Sequence, residues 1–415
     1  AIGRCEKLGV MLTGHPDVYS LVDEFTVAGA DWKCLHGEQS VQMADGTSRA
    51  AGMLATGDIV LAFDQNTKQL VPAKAIAREN GDQPIYTVQT KCGRSIRCTA
   101  EHPFLTRKGW VAASRMAPGD YVRVALDWQP ADDPSLADQS RFLGLMIADG
   151  NFTSGHCRYA KTDPVIIDWV RGYIEARGGK LVPDSRNKEG QWRINRHDRH
   201  RFPELLPLFG HGARTKTIPE SVLRGGPTAW RMFLSGYFDG DGSVRDRSKG
   251  PYDCVLWDSI SRTLLDQCQQ LLAYLGVRSS VWAGEKVVSG KPYSYYRLNV
   301  RDQEAVRRVA DVLIPLTKKG DKFAEFRRLG NGDADREWDK VVAVTLGEPH
   351  RTVALRVPGL DTHVTGGLVT HNSGRLDFDA IEQMRAYGWL LMQDYPQVQT
   401  VRWSVIRIRD RTADT

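Results

Sequence analysis

The 415-residue chain has no run of about 18 apolar residues and no leader of basic, apolar and small-residue segments. Neither a membrane span nor a secretory signal is therefore expected. Its seven cysteines (Cys5, Cys34, Cys92, Cys98, Cys157, Cys254 and Cys268) are odd in number, scattered, and never spaced as CxxC. That pattern excludes a disulfide framework and a closed zinc site, and makes a reducing, cytoplasmic compartment the expectation. A large excess of one charge is also missing. Lys and Arg number 56 against 50 Asp and Glu, a net +6 that permits a nucleic-acid partner without requiring one. With 41% hydrophobic and 26% charged residues, wholesale disorder is excluded, and the length suits two to four domains. The chain opens at Ala1 without Met, so a fragment or an N-terminally trimmed chain is expected.

What is present changes character along the chain. Residues 1–33 hold two strand-like runs, "LGVMLTG" and "EFTVAGADW". From Cys34 to about residue 128, short β-type runs such as "DIVLAF", "IYTVQT" and "YVRVAL" alternate with turn residues, as in a compact all-β module. "DWQPADDPSLADQ" has the Pro/Asp content of a linker. Residues 140–325 mix helices and strands, and "RFLGLMIADGNF" is echoed by "RMFLSGYFDGDGSV", an internal repeat. "GNGDADREWD" reads as the return linker, and "KVVAVTL" to "GGLVTHN" is β-rich again. Residues 373–415 start afresh with an amphipathic helix, "FDAIEQMRAYGWLLM", and a strand-like "VQTVRWSVIRI".

The two seams carry nucleophiles. The Cys34 thiol can attack the preceding Lys33 carbonyl through a five-membered ring, giving a thioester. That step is uphill from an amide, so the site must strain the bond and protonate the departing nitrogen. Thr99 and His102 of "TAEH" supply a hydroxyl and an imidazole on a tight turn, suited to both tasks. At the far seam Ser373 can take the acyl group, the Asn372 carboxamide can attack its own carbonyl, and His371 can polarise that carbonyl. Here the chain resembles an intein: "CLHGEQSVQMADG", "GRSIRCTAEHPFLT" and "HVTGGLVTHNS" look like the N-terminal, Thr-x-x-His and C-terminal splicing blocks, in order. The resemblance covers residues 34–128 and about 340–372 and implies the horseshoe-shaped β fold of the Hedgehog/intein class. One departure stands out. Ala354 takes the place where inteins often carry Asp or Cys, leaving Asp361 or His363 as substitutes.

In "FLGLMIADG" and "FLSGYFDGDG", Gly144 and Gly236 allow two helices to approach closely and bring Asp149 and Asp241 together at their ends. Like charges so placed call for a divalent cation. This resembles the LAGLIDADG homing endonucleases in two-repeat form, which implies cleavage of both strands of a long duplex site with Mg²⁺ bridging Asp149 and Asp241. "TKTIPESVL" and "LLAYLGV" look like two further blocks of intein endonucleases. Lys216 is the better candidate for a catalytic basic residue, with Lys318 as its counterpart in the second repeat. "RNKEGQWRINRHDRHR" interleaves Arg186, Lys188, Arg193 and Arg196 with Trp192 and Ile194, as a hairpin lying on DNA would; a solvated charged surface fits the pattern equally.

Removing residues 34–372 joins "EFTVAGADWK" to "SGRLDFDAIEQMRAYGWLL". Asp17 and Asp31 could then hold Mg²⁺, Lys33 position water, and Gln383 and Tyr387 share one helical face over the site. The joined segments resemble a fragment of the PD-(D/E)XK nucleases of the RecB-like type, implying α/β architecture. The expected organisation is host segment 1–33, splicing domain 34–130 and 335–372, endonuclease 135–330, and host segment 373–415. The expected fold is mixed: an all-β splicing domain, an inserted α+β endonuclease and α/β flanks. The partner is double-stranded DNA, with no membrane and a monomeric chain. A competing reading makes the insert a DNA-binding or DNA-cutting module whose splicing blocks are inert. Cleavage without ligation, as in Hedgehog autoprocessing, sits poorly with both Asn372 and the Ser373 hydroxyl.

Overall fold

Two long strands, Ile76–Thr90 and Trp338–Arg356, form the spine of the molecule. Their Val, Ile, Thr and Tyr content suits a pleated, half-buried surface. They pair antiparallel, with Tyr86 opposite Leu346 and Arg78 opposite Ala354, and three register shifts bend the ribbon. Around them an 11-stranded sheet gathers the shorter strands, including Cys34–His36, Ser95–Cys98, Pro103–Thr106, Thr362–Thr365 and Leu368–His371. It curls over its own apolar core of Leu35, Val88, Ile96, Phe104, Val122 and Val341, all fully buried.

The computed structural model describes residues 33–153, 156–184, 190–245, 254–288, 290–326 and 334–371. The chain divides into two units, one of residues 34–372 and the other of 1–33 with 373–415. The described residues belong, Lys33 apart, to the first. The proposed sites at Asp17, Asp31, Asn372, Ser373, Gln383, Tyr387, Arg186 and Lys188 lie outside the described residues. Among the described residues no helix is long and apolar enough to cross a membrane.

The repeat is a structural one. Helix Ala137–Asp149 packs on helix Gly226–Asp241, and each runs directly into a strand, Gly150–Asn151 or Gly242–Arg245, at the edge of its own 4-stranded sheet. The two helices meet at glycine. A Cβ on Gly144 would lie 2.3 Å from the Phe233 carbonyl oxygen, and one on Gly236 would lie 2.3 Å from that of Arg141. Such distances leave no room for any side chain, so the approach depends on both residues.

The segment with linker composition is packed rather than loose. Trp128 is buried in the core of the repeat, and Asp132 accepts hydrogen bonds from the Thr228 N–H (2.8 Å) and hydroxyl (2.7 Å) at the start of the second acidic helix. That same core takes in Val364 and Val369 of the C-terminal β-hairpin, so the inserted module and the β frame share apolar surface. Two polar ties add to it: the Gln269 amide donates to the Cys92 and Ser279 carbonyls, each at 2.9 Å, and Arg262 donates to the Gly93 carbonyl at 2.6 Å.

Gly236→Ala is expected to lower the melting temperature, costing about 1–3 kcal/mol through the forced separation of the helices. Gly172→Ala, in helix Pro164–Glu175 where an added Cβ meets nothing within 4 Å, should raise it by about 0.5–1 kcal/mol equivalent. Thermal unfolding followed by circular dichroism reads both signs.

Candidate active sites

The first site forms where strand Cys34–His36 lies between its neighbours, with Cys34 opposite Ala354 and Leu35 opposite Cys98. Thr99 follows Cys98 and grips Cys34 at both ends of its main chain. The Thr99 hydroxyl oxygen accepts from the Cys34 N–H at 2.9 Å, and the Thr99 N–H donates to the Cys34 carbonyl at 3.0 Å. The hydroxyl also reaches that carbonyl at 3.4 Å. Three residues on, the His102 N–H donates to the Thr99 carbonyl at 3.2 Å, closing the tight turn. This places the His102 imidazole, fully buried, edge-on to Phe104 and to His363, with ring centres 5.7 and 5.8 Å apart. Both imidazoles are thus buried side by side.

His363 and His371 come from the hairpin Thr362–Thr365 and Leu368–His371, turned by Gly366 and Gly367 at positive φ. Two such residues are what a tight two-residue hairpin turn requires. Its second strand pairs with Pro103–Thr106 through Thr370 and Phe104, which carries the terminal His371 past the Thr99–His102 turn. The His371 ring packs edge-on against Trp110 at 4.9 Å, and the Trp110 indole N–H donates to Gln65 at 3.2 Å. Asp361 sits at a left-handed turn, φ 56°, just before the hairpin.

One contact here involves a residue that sequence reasoning passed over. The Asn80 carboxamide nitrogen lies 3.3 Å from Cys34 Sγ. Asn80 precedes Gly81 in a dipeptide typical of turns, and nothing in its spacing points to a thiol 46 positions away.

The second site lies at the C-terminal ends of the two acidic helices, where Asp149 and Asp241 are the last residues. Burial, and then the charge of Asp149, push the Asp241 carboxyl up to about 7. Asp149 accepts an ion pair from Lys161 at 2.6 Å, a residue sequence reasoning also missed because it stands on a turn after strand Arg158–Ala160. The third nearby acid, Asp239, has a different task. It is buried against Arg141 at 3.7 Å and accepts from the Leu316 and Thr317 N–H groups at 2.8 and 3.1 Å.

Two lysines cap the helix ends with matching geometry. Lys216 donates to the carbonyls of Ile147 (2.5 Å) and Gly150 (3.1 Å), and Lys319 to those of Gly242 (2.8 Å) and Asp239 (3.0 Å). Burial lowers the pKa of both. The counterpart of Lys216 is therefore Lys319 and not Lys318, which is exposed at the start of the turn Lys318–Lys322. In each case an ammonium meets orphaned carbonyls at the negative end of a helix.

The donor set suits a hard cation. No group of three or more His, Cys, Asp or Glu side chains gathers among the described residues. A cation held by Asp149 and Asp241 would take its remaining ligands from water and substrate oxygens, the usual pattern for Mg²⁺.

Strand Gln191–Ile194 pairs with Leu181–Pro183 and with Arg158–Ala160, and Arg193 stands opposite Val182 and Arg158. Residues Arg196–Arg201 then form a 3₁₀ turn that Asn195 caps by accepting from the His197 N–H, so they do not return as a strand; the Arg196 side chain lies outside the described residues. Trp192 instead turns its indole N–H to the Lys161 carbonyl at 3.0 Å, below the Arg171 guanidinium. In the second repeat the hairpin Ser280–Val288 and Lys291–Val300 shows a comparable surface: Trp282 and Tyr293 are exposed, with Arg297 over Trp282 and Lys286 over Tyr295.

Comparison with known proteins bears on the second repeat. Residues 229–313 match the model of the LAGLIDADG-like domain. The chain is 29% identical over 286 residues to the replicative DNA helicase DnaB of Rhodothermus marinus, covering 61% of this chain and 29% of the relative. It is 26% identical over 266 residues to the replication factor C small subunit of Thermococcus kodakarensis, covering 60% of this chain and 28% of the relative. It is 23% identical over 292 residues to the DnaB helicase of Synechocystis sp., covering 65% and 33%. The chain thus spans about a third or less of these relatives. Among solved structures, a variant of the Ssp DnaB mini-intein aligns at 12% identity and TM-score 0.31, covering 82% of this chain and 99% of the other. A DnaB intein from Synechocystis sp. PCC 6803 aligns at 10% identity and TM-score 0.30, covering 82% and 99%.

The raised Asp241 carboxyl has a consequence for stability. An acid whose folded pKa lies above its ordinary 3.8 contributes most below that value, and the contribution is lost as pH rises through about 7. Asp241 is exposed to water at the helix end, which screens the effect and makes it small. Without divalent cations, Asp241→Asn should raise the melting temperature at pH 8 and leave it nearly unchanged below pH 4. Calorimetry across that range reads the difference.

Proposed function

We propose that this chain, an intein-type protein carrying a LAGLIDADG-like domain, excises residues 34–372, ligates Lys33 to Ser373, and cuts double-stranded DNA with the inserted module. What carries the splicing reading is the grip of Thr99 on Cys34 beside a buried imidazole: N–H to hydroxyl at 2.9 Å, carbonyl to N–H at 3.0 Å. The scissile amide nitrogen is the Cys34 nitrogen, so the Thr99 hydroxyl already engages the atom that must leave.

The sequence of steps follows from the residue types. Cys34 Sγ, as the thiolate, attacks the Lys33 carbonyl carbon; the S–C bond forms and the C–N bond breaks as His102 delivers a proton to the departing nitrogen. The Ser373 hydroxyl displaces the thiol and becomes the acyl carrier. Asn372 Nδ2 then attacks its own main-chain carbonyl, which His371 polarises, closing a succinimide and freeing the insert. The remaining ester passes from Ser373 oxygen to its liberated amine, giving a peptide bond. Ala354 contributes no acid opposite Cys34, and we read the His363 imidazole, its ring centre 5.8 Å from that of His102, as the group that holds or passes the proton.

For DNA, Asp149 and Asp241 would hold the metal, which supplies polarisation of the scissile phosphate. We read the basic and aromatic surfaces of the two 4-stranded sheets, Arg193 on one and the exposed Trp282, Lys286 and Tyr293 on the other, as the source of phosphate and groove contacts. We further read residues 1–33 and 373–415 as parts of a host nuclease, with Asp17, Asp31, Lys33, Gln383 and Tyr387 as its site.

The two activities should separate cleanly. Asn372→Ala is expected to stop release of the C-terminal segment and ligation while leaving DNA cutting intact. Asp149→Asn with Asp241→Asn should abolish DNA cutting and leave splicing intact. Unchanged processing in Asn372→Ala, read on denaturing gels, would favour a DNA module with inert splicing blocks.

A further inference from the structure

The Cys34 thiol must be a thiolate when it attacks, and burial raises the free energy of any thiolate. Cys34 is fully buried, and so is Cys98 on the adjoining strand. Burial, and then the nearness of Cys34, push the Cys98 thiol far up, which shows how strongly this interior penalises negative sulfur. Across the ladder from Cys34 stands Ala354, a methyl group. Ionisable groups on the elements packed against Cys34 include Cys98 and Arg97 on one neighbouring strand, His350, Arg351 and Arg356 on the other, Arg78 opposite Ala354, Glu79 ion-paired with Arg351, His36 on its own strand, and His102 beyond the Thr99 turn. One polar neighbour of the thiol is the neutral Asn80 carboxamide, its nitrogen 3.3 Å from Sγ.

We infer that Asn80 is a further catalytic residue of the N-terminal seam, donating its carboxamide N–H to Cys34 Sγ so that the sulfur is held in place and favoured as the thiolate. A hydrogen bond to the charged form lowers the free energy of that form, and away from bulk water the effect is larger. Asn serves better than an acid would, because a carboxylate at 3.3 Å would repel the thiolate. The donation leaves the proton count of the step unchanged: the thiol proton departs, the S–C bond forms, the C–N bond breaks, and the nitrogen gains a proton. The inference rests on the splicing reading, since only an attacking sulfur needs this help.

The test isolates the first step. In an Asn372→Ala, Ser373→Ala background, hydroxylamine cleavage after Lys33 reports thioester formation alone, and its rate is followed from pH 6 to pH 10. Asn80→Ala should slow cleavage about tenfold at pH 7 and move the alkaline midpoint upward by about one pH unit. Isosteric Asn80→Asp should move it at least as far, and Asn80→Gln should recover part of the rate. Equal melting temperatures for Asn80→Asp and the background keep loss of folding from imitating the result. If the background cleaves and both Asn80→Ala and Asn80→Asp keep its rate and midpoint, the role of Asn80 is refuted while splicing stands. If the background itself never cleaves, the splicing reading falls and this inference with it.

Discussion

Everything at the N-terminal seam depends on the double hydrogen bond between Cys34 and Thr99. A strand edge would ordinarily leave the first residue of the insert free to adopt many orientations. Here its N–H and its C=O are both fixed by one residue 65 positions away, and the sheet on either side fixes that residue in turn. Pre-set geometry of this kind is what a reaction through a five-membered ring needs, because the thiol must meet its own preceding carbonyl and nothing else. The cost of ordering the chain is met during folding of the sheet, so little is left for the reaction itself.

The inserted module solves an opposite problem, keeping like charges together. Asp149 and Asp241 are brought near one another by two helices that meet at Gly144 and Gly236, and desolvation, with the Asp149 charge second, raises the Asp241 carboxyl. Lys161 answers one acid directly, while Lys216 and Lys319 neutralise the helix ends beneath them. The module is also fastened to the β frame, through Val364 and Val369 in its core and through the carbonyls of Cys92 and Gly93. Its folding therefore supports the hairpin that carries His363 and His371.

Much of this was legible in the residues. Cys34, Thr99 and His102 could be picked out because nucleophile, hydroxyl and imidazole occupy seams and turns with short-range signatures, and the acidic helices announced themselves by repeating. The mostly β frame and the paired helices followed from alternation and from glycine placement. What escaped notice depends on long-range register. Asn80 looks like half of a turn until strand Ile76–Thr90 is laid beside Cys34. Lys161 has no motif, and Lys318 and Lys319 are equivalent in sequence until the 3₁₀ turn aims one of them at the helix end. Trp128 sits in a stretch whose Pro and Asp content suggests a loose linker, yet one aromatic ring is enough to fasten it to a core.

The central claim is that this chain rearranges its own backbone. The most direct measurement is the intact mass of every product after expression of the unaltered sequence under folding conditions. The account predicts two species, residues 1–33 joined to 373–415 and a free insert of residues 34–372. Finding only the full-length chain, with its residues unmodified and its fold intact, would contradict it.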